Sequence, residues 1–412
     1  VKTALDAAQT PQNKKAVPPT TDSTAPTEND LATVETSINN GQAVAKDSDN
    51  HFRHGTHFYI DEKHQDPTKR GVYYVGLDKD GNEKRPIQIC GVLRVLARTR
   101  NSDHRGHGYL LEWLDCDNHK HTWAMPAELF KGDCSEVRGF LMACGLSISP
   151  MAYKSLLPQY IQTTHTYNRV LCVNKTGWHE YKGHLMYVTP QQSYGQYGHE
   201  IVFQSESHTS NSYLQKSTLA TWQQQLSRYC VGNSRLAFSV SAAFAGVLLQ
   251  ILGDESGGFH LRGDSSLGKS TAQHMACSVW GNRHFKKTWR ATITGLEVTA
   301  AMYNDGLLVL DEIGQADPKD IGETVYMLAN GQGKNRGAKT LIPRSLLEWR
   351  LLFLSSGEIS LSQHMLSGGK TIKAGQELRL VDIPADTESG HGLLETLHQF
   401  SHAKDLVEHI NQ

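Results

Sequence analysis

The feature that most constrains the fold of this chain is one unbroken run, Gly263-Asp264-Ser265-Ser266-Leu267-Gly268-Lys269-Ser270-Thr271. It fits the phosphate-loop pattern G-x-x-x-x-G-K-[ST]. The spacing has a mechanical cause. Glycines permit the tight turn that aims successive backbone N–H groups at one phosphate, Lys269 reaches the outer phosphates, and the Ser270 hydroxyl can hold Mg²⁺. The flanks agree with this reading: Phe259 to Arg262 reads as a short strand, while Ala272, Met275, Ala276 and Val279 form the apolar stripe of a helix beginning at the loop. All nine residues from Gly263 to Thr271 are therefore expected to bind nucleotide.

Downstream, Leu307-Leu308-Val309-Leu310-Asp311-Glu312 is an apolar run ending in two acids, as expected of a buried parallel strand delivering carboxylates at its C-terminal edge. In this Walker B reading Asp311 binds Mg²⁺ and Glu312 activates the attacking water. Glu directly after the metal-binding Asp favours ATP hydrolysis over a small-molecule kinase, in which a second substrate is the nucleophile. A third apolar run, Leu351 to Leu354, leads into Ser355 and Ser356. Either serine is placed to sense the γ-phosphate, with Ser356 taken for the role, or the pair simply turns the chain.

Around these motifs the chain divides into three. Residues 1–51 hold no Phe, Tyr or Trp but include Pro11, Pro18, Pro19 and Pro26, so a disordered linker is expected, too poor in apolar area to offset its ordering entropy. Residues 52–211 carry short β-like runs (Gly71 to Val75, Ile87 to Val95, Tyr109 to Leu114, Val170 to Val173, Leu185 to Val188) and a helix over Ser135 to Cys144, predicting a smaller β-rich α+β domain. Residues 212–412 begin with two helical stretches, around Trp222 and over Leu236 to Leu252. They then alternate strand and helix, predicting an α/β domain with a mainly parallel sheet. The last helix is expected over Leu393 to Ile410. At 412 residues, the length allows roughly two to three domains.

Composition excludes several classes. With 41 Lys plus Arg against 42 Asp plus Glu, the net charge of -1 rules out a uniformly basic nucleic-acid coat, so any nucleic-acid contact must be local. Seven cysteines without paired short spacings suggest a reducing cytoplasm rather than a disulfide framework. The most apolar stretch, Leu236 to Leu252, is diluted by Ser and Gln and reads as a helix buried against a sheet, and residues 1–20 lack a secretory signal. A start at Val1 is expected of a piece of a longer protein.

Gly177-Trp178-His179, the stretch Gly258 to Thr271, Ser278-Val279-Trp280-Gly281, Asn304 to Glu312, Asn330 to Arg336 and Ala374 to Pro384 together resemble the domain of unknown function numbered 927, from Phe52 to the C-terminus. That family occurs in bacterial phage, plasmid and genomic-island proteins, often beside primase-type modules. The resemblance implies an AAA+ P-loop ATPase acting as a replicative helicase, similar to the hexameric helicases of small viruses and the minichromosome maintenance proteins. It thereby implies a homo-oligomeric ring, a hexamer by analogy, acting on single-stranded DNA, with the linker tethering an upstream primase-like module. It places a pore hairpin at Gly331 to Lys339, where Lys334, Arg336 and Lys339 would neutralise phosphates; a solvated loop, or a contact to the neighbouring subunit's nucleotide, accounts for the same residues. It makes Arg379 the arginine finger, against a structural salt bridge and against Arg344 and Arg350. Thr292 would restrain Glu312 until DNA binds. A partial helical lid follows from the short C-terminal stretch.

Other signals are weaker. Cys116, His119, His121 and Cys134 invite zinc, but the turn chemistry from Asp115 to Asn118 favours a hairpin tip. Arg94, Arg98, Arg100 and Arg105 with Tyr109 form either a DNA-binding stripe or a solvated strand face. Trp123 and Trp178 read as core packing. The leading expectation is an ATP- and Mg²⁺-dependent DNA helicase or translocase of a mobile element; the alternative is a P-loop switch that assembles a scaffold on DNA or protein without unwinding.

Overall fold

The computed structural model describes residues 55–150, 154–204, 212–334 and 346–411. The chain divides into two units, Val1–Gly55 and Thr56–Gln412, and all elements below belong to the second. The expected linker at 1–51 and the expected boundary at Asn211 lie outside the described residues.

Residues 57–203 are β-rich. β1 (His57–Asp61), β2 (Gly71–Val75) and β3 (Ile87–Cys90) make an antiparallel sheet. The run read as one strand from Ile87 to Val95 is instead interrupted: β3 ends at Cys90, and β4 (Leu93–Arg100) starts a different sheet with β5 (Gly108–Leu114) and β6 (Lys120–Pro126). Along β4 buried residues alternate with half-buried ones, so one face meets the core. That core joins Leu93, Leu111, Trp113 and Met125 to Val137 and Leu141 of α1 (Ser135–Ala143) and to Leu157 and Ile161 of α2 (Leu156–Thr163).

Next come β7 (Arg169–Val173), β8 (Gly177–Tyr181), β9 (His184–Val188), β10 (Ser193–Tyr194) and β11 (Ile201–Phe203). β7 and β11 extend the second sheet in the order β11-β7-β4-β5-β6, whereas β10-β9-β8 is a separate antiparallel ribbon. Gly177 to His179 is part of β8. The ribbon docks on the C-terminal half: the Trp178 indole donates to the Val247 carbonyl at 2.8 Å, its backbone N–H donates to Asp305 Oδ2 at 2.9 Å, and the Tyr187 hydroxyl donates to the Asp305 carbonyl at 2.8 Å. Trp178 is thus a packing residue, as its sequence context predicts.

The C-terminal half comprises α3 (Leu219–Gln225), α4 (Ser234–Leu252), β12 (Gly257–Arg262), α5 (Lys269–Cys277), β13 (Lys287–Thr288), α6 (Ile293–Met302), β14 (Gly306–Asp311), α7 (Ile321–Asn330), β15 (Leu351–Gly357), α8 (Leu361–Ser367), α9 (Ala374–Glu377), β16 (Leu380–Pro384) and α10 (Ala403–Asn411). Its five strands are parallel throughout, in the order β13-β14-β15-β12-β16. β15 is buried over its whole length and β14 up to Leu310, which is why both read as continuous apolar runs. α4 is long and apolar enough to cross a membrane by length and composition, but Leu236, Ala243 and Leu249 belong to the core around the sheet. Its approach is close at Gly246, where any Cβ would drive into the Gly306 carbonyl.

The helix expected from Leu393 to Ile410 forms only from Ala403. Asn233 and His398 together explain the difference. The Asn233 side-chain oxygen accepts the backbone N–H groups of Glu395 (2.8 Å) and Thr396 (3.0 Å), and its amide donates to the Thr396 carbonyl at 2.9 Å. The Thr396 carbonyl, which a helix would pair internally, is held by a side chain distant in sequence, and His398 sits at φ 52°, a left-handed conformation that interrupts a helix.

Candidate functional site

β12 ends at Arg262, and the loop after it is pinned from two sides: Gly263 N–H donates to the Gly357 carbonyl at 3.1 Å, and Ala385 N–H to the Arg262 carbonyl at 2.7 Å. Gly268 caps α5 at φ 90°, and a Cβ there would stand 2.6 Å from a Leu393 methyl, so both conformation and space require glycine. Lys269 opens the helix, and its ammonium donates to the Gly263 and Asp264 carbonyls, each at 2.6 Å. Asp264, Ser265, Ser266 and Ser270 are on the surface side, Leu267 is half-buried, and Thr271 is buried in α5. Gly263 to Gly268 thus form the turn and Lys269 to Thr271 the start of α5, with the lysine side chain folded back across the loop.

The acids arrive at the end of β14. Asp311 Oδ1 accepts from the Ser356 hydroxyl at 2.7 Å, and Oδ2 pairs with the Lys286 ammonium at 2.6 Å. Glu312 sits at φ 53°, a left-handed conformation uncommon outside glycine that costs roughly 1–3 kcal/mol. Its carboxylate accepts the Gly314 N–H at 3.3 Å, and its own N–H donates to the Ser356 hydroxyl at 3.3 Å. Ser356 therefore contacts both acidic residues. Ser355 serves another network: it accepts from the Trp289 indole at 2.9 Å and lies 2.8 Å from His260 Nδ1, whose Nε2 lies 3.0 Å from the Ile359 carbonyl. Of the two serines, Ser356 is the one hydrogen-bonded to the acidic residues.

In that network Nε2 carries the imidazole proton and Nδ1 accepts the Ser355 hydroxyl proton, a neutral ring. Burial, opposed by the Ile359 carbonyl, pulls the His260 pKa below its usual 6.5. The unfolded chain then binds more protons than the folded one in acid, so this contribution is complete above pH 6.5 and declines as pH falls below it. Denaturant titrations at descending pH should show stability falling by at most about 1.4 kcal/mol per pH unit from this ring. His260→Gln should flatten that part of the slope, and an unaltered slope would mean that the ring does not titrate this way.

Strand pairing puts loop and acids at one edge. In the parallel register Leu261 lies opposite Ser356 and Leu310 opposite Ser355, so Gly263, Ser356 and Asp311 all lie at the C-terminal ends of neighbouring strands. Buried Gln273 of α5 also donates to the Leu310 carbonyl at 3.1 Å, tying the loop helix to the acid-bearing strand. Lys286, just before β13, has no signal in the sequence, because its pairing depends on β13 lying beside β14.

Other expected residues lie elsewhere. The Thr292 hydroxyl caps α6 by accepting the Gly295 N–H at 3.1 Å, while the Glu312 carboxylate is engaged by Gly314. Arg379 lies where β16 begins, at the N-terminal edge of the sheet, its guanidinium donating to the Gly375 carbonyl at 2.8 Å and stacked 4.5 Å over Tyr326. A ring and a carbonyl, rather than the salt bridge considered from sequence, hold it. Arg350 donates to the Leu249 carbonyl at 3.4 Å, and Arg344 lies outside the described residues. Lys334 pairs with Glu323 at 2.7 Å, whereas Arg336 and Lys339 lie outside the described residues.

The residues weighed for zinc lie around a turn, where the ligand atoms of Asp115, Asp117 and His119 come within 4.8 Å of one another. Asp115 Oδ1 accepts the N–H groups of Asp117 (2.9 Å) and His119 (2.8 Å), its Oδ2 lies 2.9 Å from His121 Nε2, and these bonds, His121 first, hold its pKa down to about 2. Buried Cys134 instead points its thiol at the Phe130 carbonyl. All seven cysteines are free thiols.

The chain is similar in structure to one described as SCCmec type IV Cch, an active helicase, at 17% identity and a TM-score of 0.57, over 86% of this chain and 62% of that one. The likeness shows a shared fold, and this chain spans less than two thirds of that protein. NtrX from Brucella abortus in complex with ADP (13% identity, TM-score 0.24, 48% of this chain and 49% of that chain) and with ATP (16%, 0.23, 42% and 38%) also matches, too slightly to bear on the fold. None of the curated proteins matches. The model of the domain of unknown function DUF927 matches residues 62–341, well over half of the sequence, and the chain belongs to that family.

Proposed function

We propose that this protein is an ATP-dependent DNA translocase of helicase type, an AAA+ ring ATPase of a bacterial mobile element. The carrying observation is the Ser356 hydroxyl, shared by Asp311 and Glu312 at the sheet edge that also bears the Lys269 loop. ATP lays its β- and γ-phosphates on the loop N–H groups, drawing Lys269 off the two carbonyls it now bonds. Glu312 orients and deprotonates the attacking water, and Ser356 links the γ-phosphate position to both acids. Hard oxygen donors from Ser270 and Asp311 suit Mg²⁺, and Asp311 already attracts a cation in Lys286. Bound there, the metal would neutralise charge on the phosphates. A solved structure of similar fold is described as an active helicase, which supports the helicase reading.

For DNA, the described ends of the hairpin fit a grip on single strands. Gln332 bridges Glu348 antiparallel, with Gly333 N–H on the Leu347 carbonyl at 2.9 Å and Trp349 N–H on the Gly331 carbonyl at 2.8 Å. Lys334 leaves this base, and Arg336 and Lys339 would extend it toward phosphates in a ring pore. Single-stranded DNA should raise the ATPase rate, and Lys334→Ala with Arg336→Ala should remove the increase while basal turnover persists; retained stimulation would discard the hairpin assignment. Displacement of a forked duplex tests the whole reading. ATP turnover without displacement would favour a scaffold-assembling switch.

A further inference from the structure

We infer that the β-rich half carries a second, nucleotide-independent contact for nucleic acid: a recess in which Arg98, Arg100 and Arg169 cradle a backbone phosphate. The three arginines lie on neighbouring strands. Arg98 is the register partner of Arg169 on β7 and of Tyr109 on β5, and Arg100, two residues along β4, shares its face. With His107 and Tyr109 they line a cavity of about 180 Å³.

Each guanidinium is anchored by one end. Arg98 Nη2 donates to the Gln162 carbonyl at 2.9 Å, Arg169 Nη1 to the Thr166 and Asn168 carbonyls at 2.8 and 3.0 Å, and Arg100 Nη1 meets His104 Nδ1. Arg98 also lies 4.2 Å over the Tyr109 ring, which fixes its plane. The remaining N–H groups stay open to a ligand. Among the described residues no carboxylate reaches ion-pair distance of any of the three, whereas Arg94 on the same strand is matched by Glu62 at 2.7 Å and Glu112 at 2.8 Å. Three like charges gathered without counter-charge repel one another, and an anion relieves that cost. A planar fork with one end fixed suits phosphate oxygens.

Size and chemistry narrow the anion. The recess is smaller than the roughly 300 Å³ of small-molecule sites, so it takes a phosphate group and leaves a nucleoside outside. Tyr109 is buried beneath Arg98 and offers no open face for a base. The contact is therefore to the backbone and indifferent to sequence. A polymer suits it better than a free nucleotide, since neighbouring phosphates remain for other cations; the choice of DNA rests on the translocase function proposed above.

The test uses the full chain without nucleotide, so that failure of ATP turnover leaves its readout intact. Fluorescence anisotropy with a labelled single-stranded oligothymidylate is recorded across a salt series. Arg100→Gln with Arg169→Gln should weaken binding about tenfold or more and lower the slope of log K against log salt by about 0.7, the value for the one phosphate no longer neutralised. Lys84→Gln with Arg85→Gln, an equal removal of exposed charge, should leave the slope nearly unchanged. If the double variant misfolds by circular dichroism, Arg100→Gln alone should weaken binding and lower the slope by part of that decrement. An unchanged slope, or an equal drop in the control, overturns the proposal. So does a thermal shift by inorganic phosphate or AMP that the variant abolishes while DNA binding is intact, which would make this a small-anion site.

Discussion

Glu312→Gln should retain ATP while losing about 10²- to 10⁴-fold in turnover, the range for removing a positioned general base. The expectation rests on geometry. Glu312 is held in a left-handed conformation at the end of β14, its N–H on the Ser356 hydroxyl, and that hydroxyl also binds Asp311. Glutamine preserves size and can keep accepting the Gly314 N–H, so the turn should survive while basicity disappears. Lys269→Ala should act one step earlier. Its ammonium now bonds two loop carbonyls and would exchange them for phosphate oxygens; removing a charge-assisted bond worth about 1.5–3 kcal/mol weakens ATP binding by roughly ten- to a hundredfold. Equilibrium binding of a fluorescent ATP analogue and single-turnover hydrolysis separate the two variants. Normal turnover in Glu312→Gln would remove the glutamate from its role, and full affinity in Lys269→Ala would remove the loop from nucleotide binding.

How legible these residues are in the sequence depends on the range of the contacts that place them. The Lys269 loop and the Asp311 strand can be read because their signals are local: glycine spacing, a helical stripe, an apolar run buried on both faces. The choice between Ser355 and Ser356 cannot. Consecutive strand residues face opposite ways, and which face sees Asp311 is set by the register of β14 against β15, a pairing of distant segments. Lys286 is invisible for the same reason. The overlong helix at Leu393 shows the converse, since helical spacing is present but Asn233, far upstream, takes the Thr396 carbonyl and His398 turns left-handed. The Gly177 to His179 strand pairs locally with β9, but its seat on Asp305 is a tertiary contact with no local signal.

Arg379→Ala should lower ATP turnover about 10³-fold with ATP affinity nearly unchanged, as expected for a residue that meets charge only in the transition state. Within its own subunit Arg379 cannot fill that role as it stands, because it precedes β16 at the end of the sheet opposite the Lys269 loop. One guanidinium nitrogen donates to the Gly375 carbonyl, and the group lies over the Tyr326 ring, which is 44% exposed. The ring proposed above requires this edge to meet a neighbour's nucleotide, and the defect should then be curable in trans. Mixing Arg379→Ala subunits, which keep their own Lys269, with Lys269→Ala subunits, which keep their own Arg379, creates interfaces holding one intact copy of each. Two nearly inactive proteins should then regain a measurable part of the wild-type rate. A structural role for the cation–π contact makes a different forecast: Arg379→Lys would restore stability without turnover being at issue, the Ala variant would lose thermal midpoint rather than rate, and mixing would recover nothing.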